Sequence, residues 1–288
     1  AQQQYQNVGE VSNRGMEATL TTLNVTRSNF AWRTRFTYGR NRNRVEKLGT
    51  GSDTIMVASL GGDYLNAVIK GQPLGVFYGG IYERDANGNI VYRRVTADSL
   101  LLPSRARDTI TVNGVKSFPF ARRIIGNPHP DFTLALSNEF DVGDNLGISF
   151  LLDGRFGNDV ANFTRRISEL FGTSKVVERE ISGDTVPRTF SQNPASRSGI
   201  FEEYVEDGSF VKLREVAVRY RLGDGLTRWF GAGDAEIRVA GRNLHTWTDY
   251  RGLDPEVNLF SNNAVARGVD FATTPIPRSF VVGLNFSF

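Results

Sequence analysis

The chain has 288 residues, with 34 Lys and Arg against 31 Asp and Glu and a mean hydropathy of −0.30. The absence of Cys removes disulfide frameworks, thiolate metal sites and cysteine nucleophiles, and no run approaches the ~18 apolar residues of a membrane helix. Basic and acidic residues interleave along the chain, so the net charge of +3 forms no nucleic-acid footprint.

Composition leaves a transmembrane β-barrel open, because each of its strands gives only alternate residues to lipid. Aromatic residues at 11% can supply interfacial girdles, and 30 Gly suit turns and strands. The start, Ala1-Gln-Gln-Gln-Tyr-Gln, has no initiator Met, no charged n-region and no apolar h-region. It is expected to lie inside a longer chain.

In chain order, Gly15 to Val25 alternates, with Met16, Ala18 and Leu20 opposite Glu17, Thr19 and Thr21. A polar turn, Thr26 to Ser28, leads to Phe30, Trp32, Thr34, Phe36 and Tyr38, opposite Ala31, Arg33, Arg35 and Thr37. Arginines on a strand face suit a wet barrel interior and spoil a sandwich core. Two strands are expected from Gly75 to Arg84 and Asn89 to Arg94, joined by the turn Asp85-Ala-Asn-Gly-Asn89. Asp85, Asn87 and Asn89 also have the first spacings of an EF-hand, but Ile90 fills the Gly position and Thr96 the Glu position. A hairpin turn is the better reading.

Phe132, Leu134 and Leu136 then oppose Thr133, Ala135, Ser137 and Glu139. After Val142-Gly-Asp-Asn145, Leu146, Ile148, Phe150 and Leu152 oppose Gly147, Ser149, Asp153 and Arg155. Val216, Val218, Tyr220 and Leu222 oppose Glu215, Ala217, Arg219 and Arg221; Ile237 and Val239 oppose Glu236, Arg238 and Ala240. The last strand sets Phe280, Val282, Leu284, Phe286 and Phe288 against Val281, Gly283, Asn285 and Ser287. An aromatic strand ending in Phe is a hazard at a soluble edge, but it fits a barrel strand that meets lipid and carries the assembly signal, here Phe280, Val282, Leu284, Phe286 and Phe288. Connections 26–28, 142–145 and 223–234 are short or moderate. Those at 41–70, 95–130, 158–208 and 251–278 are long and polar, as in barrels with short turns on one side and long loops on the other. One short helix is expected within Ala161 to Leu170.

Chemistry-bearing motifs are few. His129 and His245 are isolated, so neither a zinc site nor a Ser-His-Asp arrangement is expected. Asp254 and Glu256 flank Pro255, and a loop-capping turn is preferred over a catalytic pair or a cation site. Phe163, Phe171, Phe190, Tyr204 and Phe260 in the long loops can stack on sugars or peptides, though such residues more often pack the loops themselves. No catalytic, cofactor-binding or metal residues are assigned.

Several segments carry a resemblance. Asn7-Val-Gly-Glu-Val-Ser-Asn-Arg-Gly-Met-Glu17 resembles the N-x-G-x-x-x-N-x-G-x-E strand entry of TonB-dependent outer-membrane receptors. Gly71-Gln-Pro-Leu-Gly-Val-Phe-Tyr-Gly79 and Ile125-Gly-Asn-Pro-His-Pro-Asp131 are similar to segments of the SusC/RagA branch. So are Glu206-Asp-Gly-Ser-Phe-Val-Lys-Leu-Arg-Glu-Val216, the run from Gly241 to Glu256, and Pro275 to Phe280 before the last strand. They follow family order over almost the whole chain.

The resemblance implies an all-β, antiparallel transmembrane barrel, here about ten C-terminal strands of a larger barrel of the roughly 22-stranded type. The plug and N-terminal strands are missing, so an open half-barrel is expected. It also implies import of glycans, oligosaccharides or peptides across the bacterial outer membrane, without enzymatic chemistry or a cofactor. The implied partners are a SusD-like surface lipoprotein, the TonB complex through the missing N-terminal part, the barrel assembly machinery and outer-membrane lipid, with no nucleic acid. The alternatives are a TonB-dependent siderophore or cobalamin receptor and, in another class, a secreted β-rich adhesion or structural domain.

Overall fold

A computed structural model describes residues 9–49, 51–60, 63–94, 101–113, 115–175, 178, 200–229, 231–261 and 263–288. Two strands open the chain, β1 (Gly9–Arg27) and β2 (Phe30–Leu48). Eight shorter ones follow: β3 (Thr54–Leu60), β4 (Asp63–Ile69), β5 (Val76–Gly80), β6 (Tyr92–Arg94), β7 (Leu101–Pro103), β8 (Ile110–Val112), β9 (Val115–Ser117) and β10 (Arg122–Gly126). Next come β11 (Phe132–Val142), β12 (Leu146–Phe156), β13 (Asp159–Asn162) and helix α1 (Phe163–Leu170). The chain ends with β14 (Val205–Asp207), β15 (Phe210–Arg221), helix α2 (Asp224–Trp229), β16 (Asp234–Thr248), β17 (Val269–Asp270) and β18 (Ser279–Ser287).

The principal sheet is antiparallel and seven-stranded, in the order β1-β2-β11-β12-β15-β16-β18. Its strands are those the alternation marks. β1 and β18 are its two edges, so the sheet is an open wall and Phe280–Phe288 does not pair with Gly15–Val25. Among the described residues this sheet holds seven of the ten or so strands expected. Gly75–Arg84 and Asn89–Arg94 leave the wall: β5 joins a four-stranded sheet with β3, β4 and β10, and β6 pairs with β7. The turn between them forms as read, closed by the bridge between Arg84 and Ile90 and by Asp85 Oδ1 accepting from the Asn87 and Asn89 amides.

The wall's register gives it two unlike faces. Leu20, Phe36, Leu136, Leu152 and Leu213 align across five strands as one apolar row. On one side of that row stand Phe30, Trp32, Phe140 and Phe150, in ring contact. On the other stand Tyr38, Phe132 and Phe156, also stacked, with Trp247 beside Val211. Gly154 makes room for the Phe156 ring, 2.8 Å from where a Cβ would sit. From Phe30 to Tyr38 the strand rises ~27 Å at ~3.4 Å per residue, or ~20 Å once tilted by ~40°. That spacing fits an apolar band of about 25 Å between two aromatic girdles.

Two further expectations change. The stretch 41–70 is not a long polar loop: β2 stays paired with β1 through Leu48, and β3 and β4 make a hairpin. Polarity there ended the apolar alternation, but backbone pairing needs no apolar side chain once a strand stands in water. His245 lies within β16, not at a strand end, against Trp247 at 4.5 Å between ring centroids. The expected short helix is α1, with Asn162 Oδ1 accepting the Arg165 amide at its N-terminus. Among the described residues no helix is long and apolar enough to cross a membrane.

Candidate functional site

Above the wall, at the end carrying the long connections, the motifs that bore the resemblance converge. Gly71 and Gly75 take positive φ, and a Cβ at Gly75 would come within 2.6 Å of the Val265 carbonyl oxygen, so only Gly lets the two segments touch. That turn delivers Phe77 into a core with Leu65, Ala161, Phe163, Phe201 and Val269. His129 Nε2 meets the Leu74 carbonyl at 2.7 Å, and Asp159 Oδ2 accepts the Asn127 amide at 2.7 Å. Burial lowers the His129 pKa, which keeps the imidazole neutral and suited to that packing role.

The densest chemistry lies where 206–216 meets 250–256. A bulge between Leu213 and Glu215 breaks the alternation of β15, so Arg214 and Glu215 both face inward. Lys212 Nζ donates to Asp254 Oδ1 and to Glu256 Oε2, each at 2.7 Å. Arg214 holds both carboxylate oxygens of Glu256 at 2.7 Å and reaches Asp153 Oδ2 at 2.6 Å. Arg155 approaches Glu256 at 3.3 Å. Lys212 is buried, as are Asp254 and Glu256. Burial alone would raise the Glu256 pKa, yet hydrogen bonds from Arg214 and Lys212 outweigh it and hold the group at about 2.

Asp254 and Glu256 are thus both held by cations of the wall. Asp254 caps its turn as expected, accepting the Glu256 amide at 2.9 Å, and in addition anchors the loop to the wall. The turn is only part of the role, because two charged partners 42 residues upstream carry no local signal.

A second cluster braces α1. Arg165 pairs with Glu169 at 2.8 Å and Glu206 at 3.0 Å, while Arg251 pairs with Glu206 at 3.1 Å. Tyr204 donates to Glu169 at 2.9 Å and Tyr250 to Asp270 at 2.7 Å. Burial, reinforced by Asp270, pushes the Tyr250 phenol above its ordinary range. Between these loops lies a concavity of about 500 Å³ lined by Thr164, Arg165, Ser168, Arg251, Asp270 and Thr273.

Below it, the inner face of the wall is a ladder of opposite charges. Arg33 meets Glu139 at 2.8 Å, Arg219 meets Asp141 at 2.7 Å, and Glu215 takes Arg238 at 2.6 Å and Arg242 at 2.9 Å. Gly147 leaves room for the Arg219 guanidinium to lie across β12, 2.7 Å from where a Cβ would sit. This face supplies a wet, polar lining with donors and acceptors at strand spacing.

The loop aromatics divide. Phe163 and Tyr204 are buried and Phe260 packs against the core, so they hold the loops together. Phe171 is 73% exposed after α1 and remains free to stack on a ligand; Phe190 lies outside the described residues. On the terminal strand, Phe280, Val282, Leu284, Phe286 and Phe288 are all exposed on one face. Among the described residues no group of His, Cys, Asp and Glu is arranged to hold a metal ion.

Comparison with known proteins agrees with this architecture. No protein-family model matches the chain. TonB-dependent receptor P3 of Formosa agariphila is 30% identical over 99% of this chain and 29% of its own length, and receptor P26 of the same organism is 29% identical over 99% and 30%. TonB-dependent receptor SusC of Bacteroides thetaiotaomicron is 20% identical over 99% of this chain and 27% of its own. The solved RagAB peptide transporter shares the fold at a TM-score of 0.72, with 22% identity over 99% of this chain and 30% of that one.

Along nearly its whole length the chain is similar to TonB-dependent receptors, SusC among them, and it shares the fold of about 30% of the solved RagAB transporter chain. It spans about 30% of the length of the relatives it matches.

Proposed function

We propose that this chain is the C-terminal part of the barrel of an outer-membrane, TonB-dependent importer for oligosaccharides or oligopeptides. It forms part of the wall and of the extracellular loops, and a SusD-like lipoprotein closes over those loops. The observation that carries this reading is the pairing of two unlike faces on one open sheet: an apolar band between aromatic girdles outside and a ladder of paired charges inside. A bilayer demands the first, and a polar solute in transit demands the second.

The inner face and the loop concavity bind and guide; transport needs no covalent step from them. The braced loops give a lidding partner a rigid rim, because their contacts are buried ion pairs and packed rings. Energy enters through the TonB-contacting part and the plug, which belong to the rest of the receptor.

The test is genetic and biochemical. A strain lacking the full-length receptor should lose growth on a defined oligosaccharide or oligopeptide, with recovery on complementation and loss again when TonB is removed. The receptor should fractionate with the outer membrane and co-purify with a surface lipoprotein. Growth on every such nutrient without the receptor, with loss of iron–siderophore or cobalamin uptake instead, would favour the other branch of the family. Recovery in the secreted fraction would sink the membrane reading altogether.

A further inference from the structure

The outer face of the wall does not stop being organised where its apolar band ends. Alternation is unbroken between Arg33 and Val45 of β2 and between Val11 and Leu23 of β1. The face that carries Phe36 and Tyr38 therefore continues as Arg40, Arg42 and Arg44, and on β1 as Met16, Arg14 and Ser12. All four arginines are exposed, and they line one open concavity of about 600 Å³ with Ser12, Met16 and Glu46.

The register sets Arg14 directly opposite Arg42. Like charges facing each other across two strands repel, so this placement is unfavourable unless an anion lies between them. The chain itself supplies little. Glu46 stands 4.0 Å from Arg44 and already accepts the Ser12 hydroxyl at 2.6 Å. Among the described residues no carboxylate pairs with Arg14, Arg40 or Arg42. On the inner face Arg33, Arg219, Arg238 and Arg242 each meet an acid, and only Arg35 among the arginines named on that face has no carboxylate partner among the described residues.

Height selects the anion. Arg40 follows Tyr38 of the girdle by two residues, and Arg42 by four. At ~3.4 Å per residue and a tilt of ~40° these stand about 5 and 10 Å above the girdle. The polar headgroup layer extends roughly 5–8 Å beyond the hydrocarbon core. Arg40 thus stands within the layer where lipid phosphates lie, and Arg42 with its partner Arg14 stands just above it, within side-chain reach, on the side of the wall that touches lipid. A guanidinium binds phosphate through two parallel hydrogen bonds, which suits arginine better than lysine here.

We propose that Arg14, Arg40, Arg42 and Arg44 hold the phosphate groups of a phosphorylated lipid headgroup in the outer leaflet. The proposal rests on reading the sheet as a membrane wall. It goes beyond that reading, because transport needs no lipid held at this position. The lipid's acyl chains pass down over Phe36 and Leu20 while its phosphates bridge Arg14 and Arg42. The ligand chemistry is a phosphate monoester or diester, and the lipid is its source.

The test uses the full-length receptor, purified in mild detergent and returned to nanodiscs of phosphatidylcholine doped with diphosphoryl lipid A or with the same lipid dephosphorylated. The wild-type receptor should co-purify with phosphorylated lipid, and retention should fall about tenfold in the combined variant R14Q/R40Q/R42Q. Its unfolding midpoint should rise with the diphosphoryl lipid, but neither with the dephosphorylated lipid nor with inorganic phosphate at equal concentration. The R40K/R42K variant should keep part of the retention, since it keeps charge and loses only the fork.

Equal retention by wild type and variant overturns the proposal. So does equal stabilisation by the dephosphorylated lipid, which makes the contact apolar. A full effect of inorganic phosphate assigns the cluster to soluble anions, and loss of a co-purifying lipoprotein with lipid retention intact assigns it to a protein partner. If the variants do not assemble, the two lipids compared on the wild-type receptor decide alone. Outer-membrane fractionation and nutrient uptake stay intact if only this proposal fails, which separates it from failure of the membrane reading.

Discussion

At the scale of single residues, the register decides which substitutions matter. Leu136 and Leu152 sit in the central apolar row, so Leu152→Arg should cost about 2–4 kcal/mol by placing a bare charge near the bilayer midplane. Ile148 and Val218 oppose each other in the row of Trp32 and Phe140, nearer the girdle. The sequence suggests them as mid-strand positions, yet Ile148→Arg should cost only about 1 kcal/mol, since the penalty falls toward the interface. Ser149→Arg faces Ala217 on the inner side and should be tolerated. Assembly yield and urea unfolding of the full-length protein check all three; equal costs would invalidate the facing. Asn138 is a polar residue within the apolar band of the outer face, and it is satisfied there: Trp32 Nε1 donates to its Oδ1 at 2.8 Å and the Thr34 hydroxyl at 2.7 Å. Asn138→Leu should therefore strand the Trp32 indole N–H and lower stability by about 1–3 kcal/mol despite its greater apolarity.

At the scale of elements, the lock between β15 and the 250–256 loop makes the sharpest predictions. Lys212→Met leaves Asp254 and Glu256 buried with less positive charge around them, a loss of the kind that costs about 3–5 kcal/mol. Limited proteolysis should then cut the loop around Leu253 while the wall stays protected. The pH dependence has a definite sign. The folded Glu256 pKa is depressed to about 2 from an ordinary 4.5, so its stabilisation is complete above pH 4.5 and fades as pH falls toward 2. The same cut should appear in the unmodified protein only on acidification through that window, and cutting already at neutral pH would contradict it.

The wall itself was legible in sequence because burial on one face and water on the other imprint a period of two, as in Phe132–Glu139 and Val216–Leu222. The loop sheets were not. Polar Asn41–Leu48 continues β2 without any apolar face, and the Lys212–Glu256 pairing joins residues far apart in the chain. The Gly-rich motif at 71–79 was readable as a resemblance, but its reason, close passage beside Val265, appears only in three dimensions.

At the scale of the whole molecule, the two edges dominate. β1 and β18 each leave one row of backbone N–H and C=O groups unpaired within the sheet. Hydrocarbon does not tolerate such rows, and water leaves them open to association. Expressed alone, the 288 residues should partition into aggregates or heat-labile oligomers and not into membranes as a monomer; semi-native gels of outer-membrane fractions check this. A heat-modifiable monomeric band would refute it. The long β1–β2 ribbon has a quieter consequence. With nineteen residues in each strand, it runs ~65 Å at ~3.4 Å per residue, well beyond any bilayer. It therefore acts as a ruler whose graduations come in twos. Deleting two residues from each strand lowers the extracellular rim and leaves every side chain facing as before. Deleting one from each turns the remaining upper part over, so that Asn41 and Asn43 face outward and Arg42 and Arg44 face the lumen. Evolution of rim height along this ribbon is thus restricted to even steps.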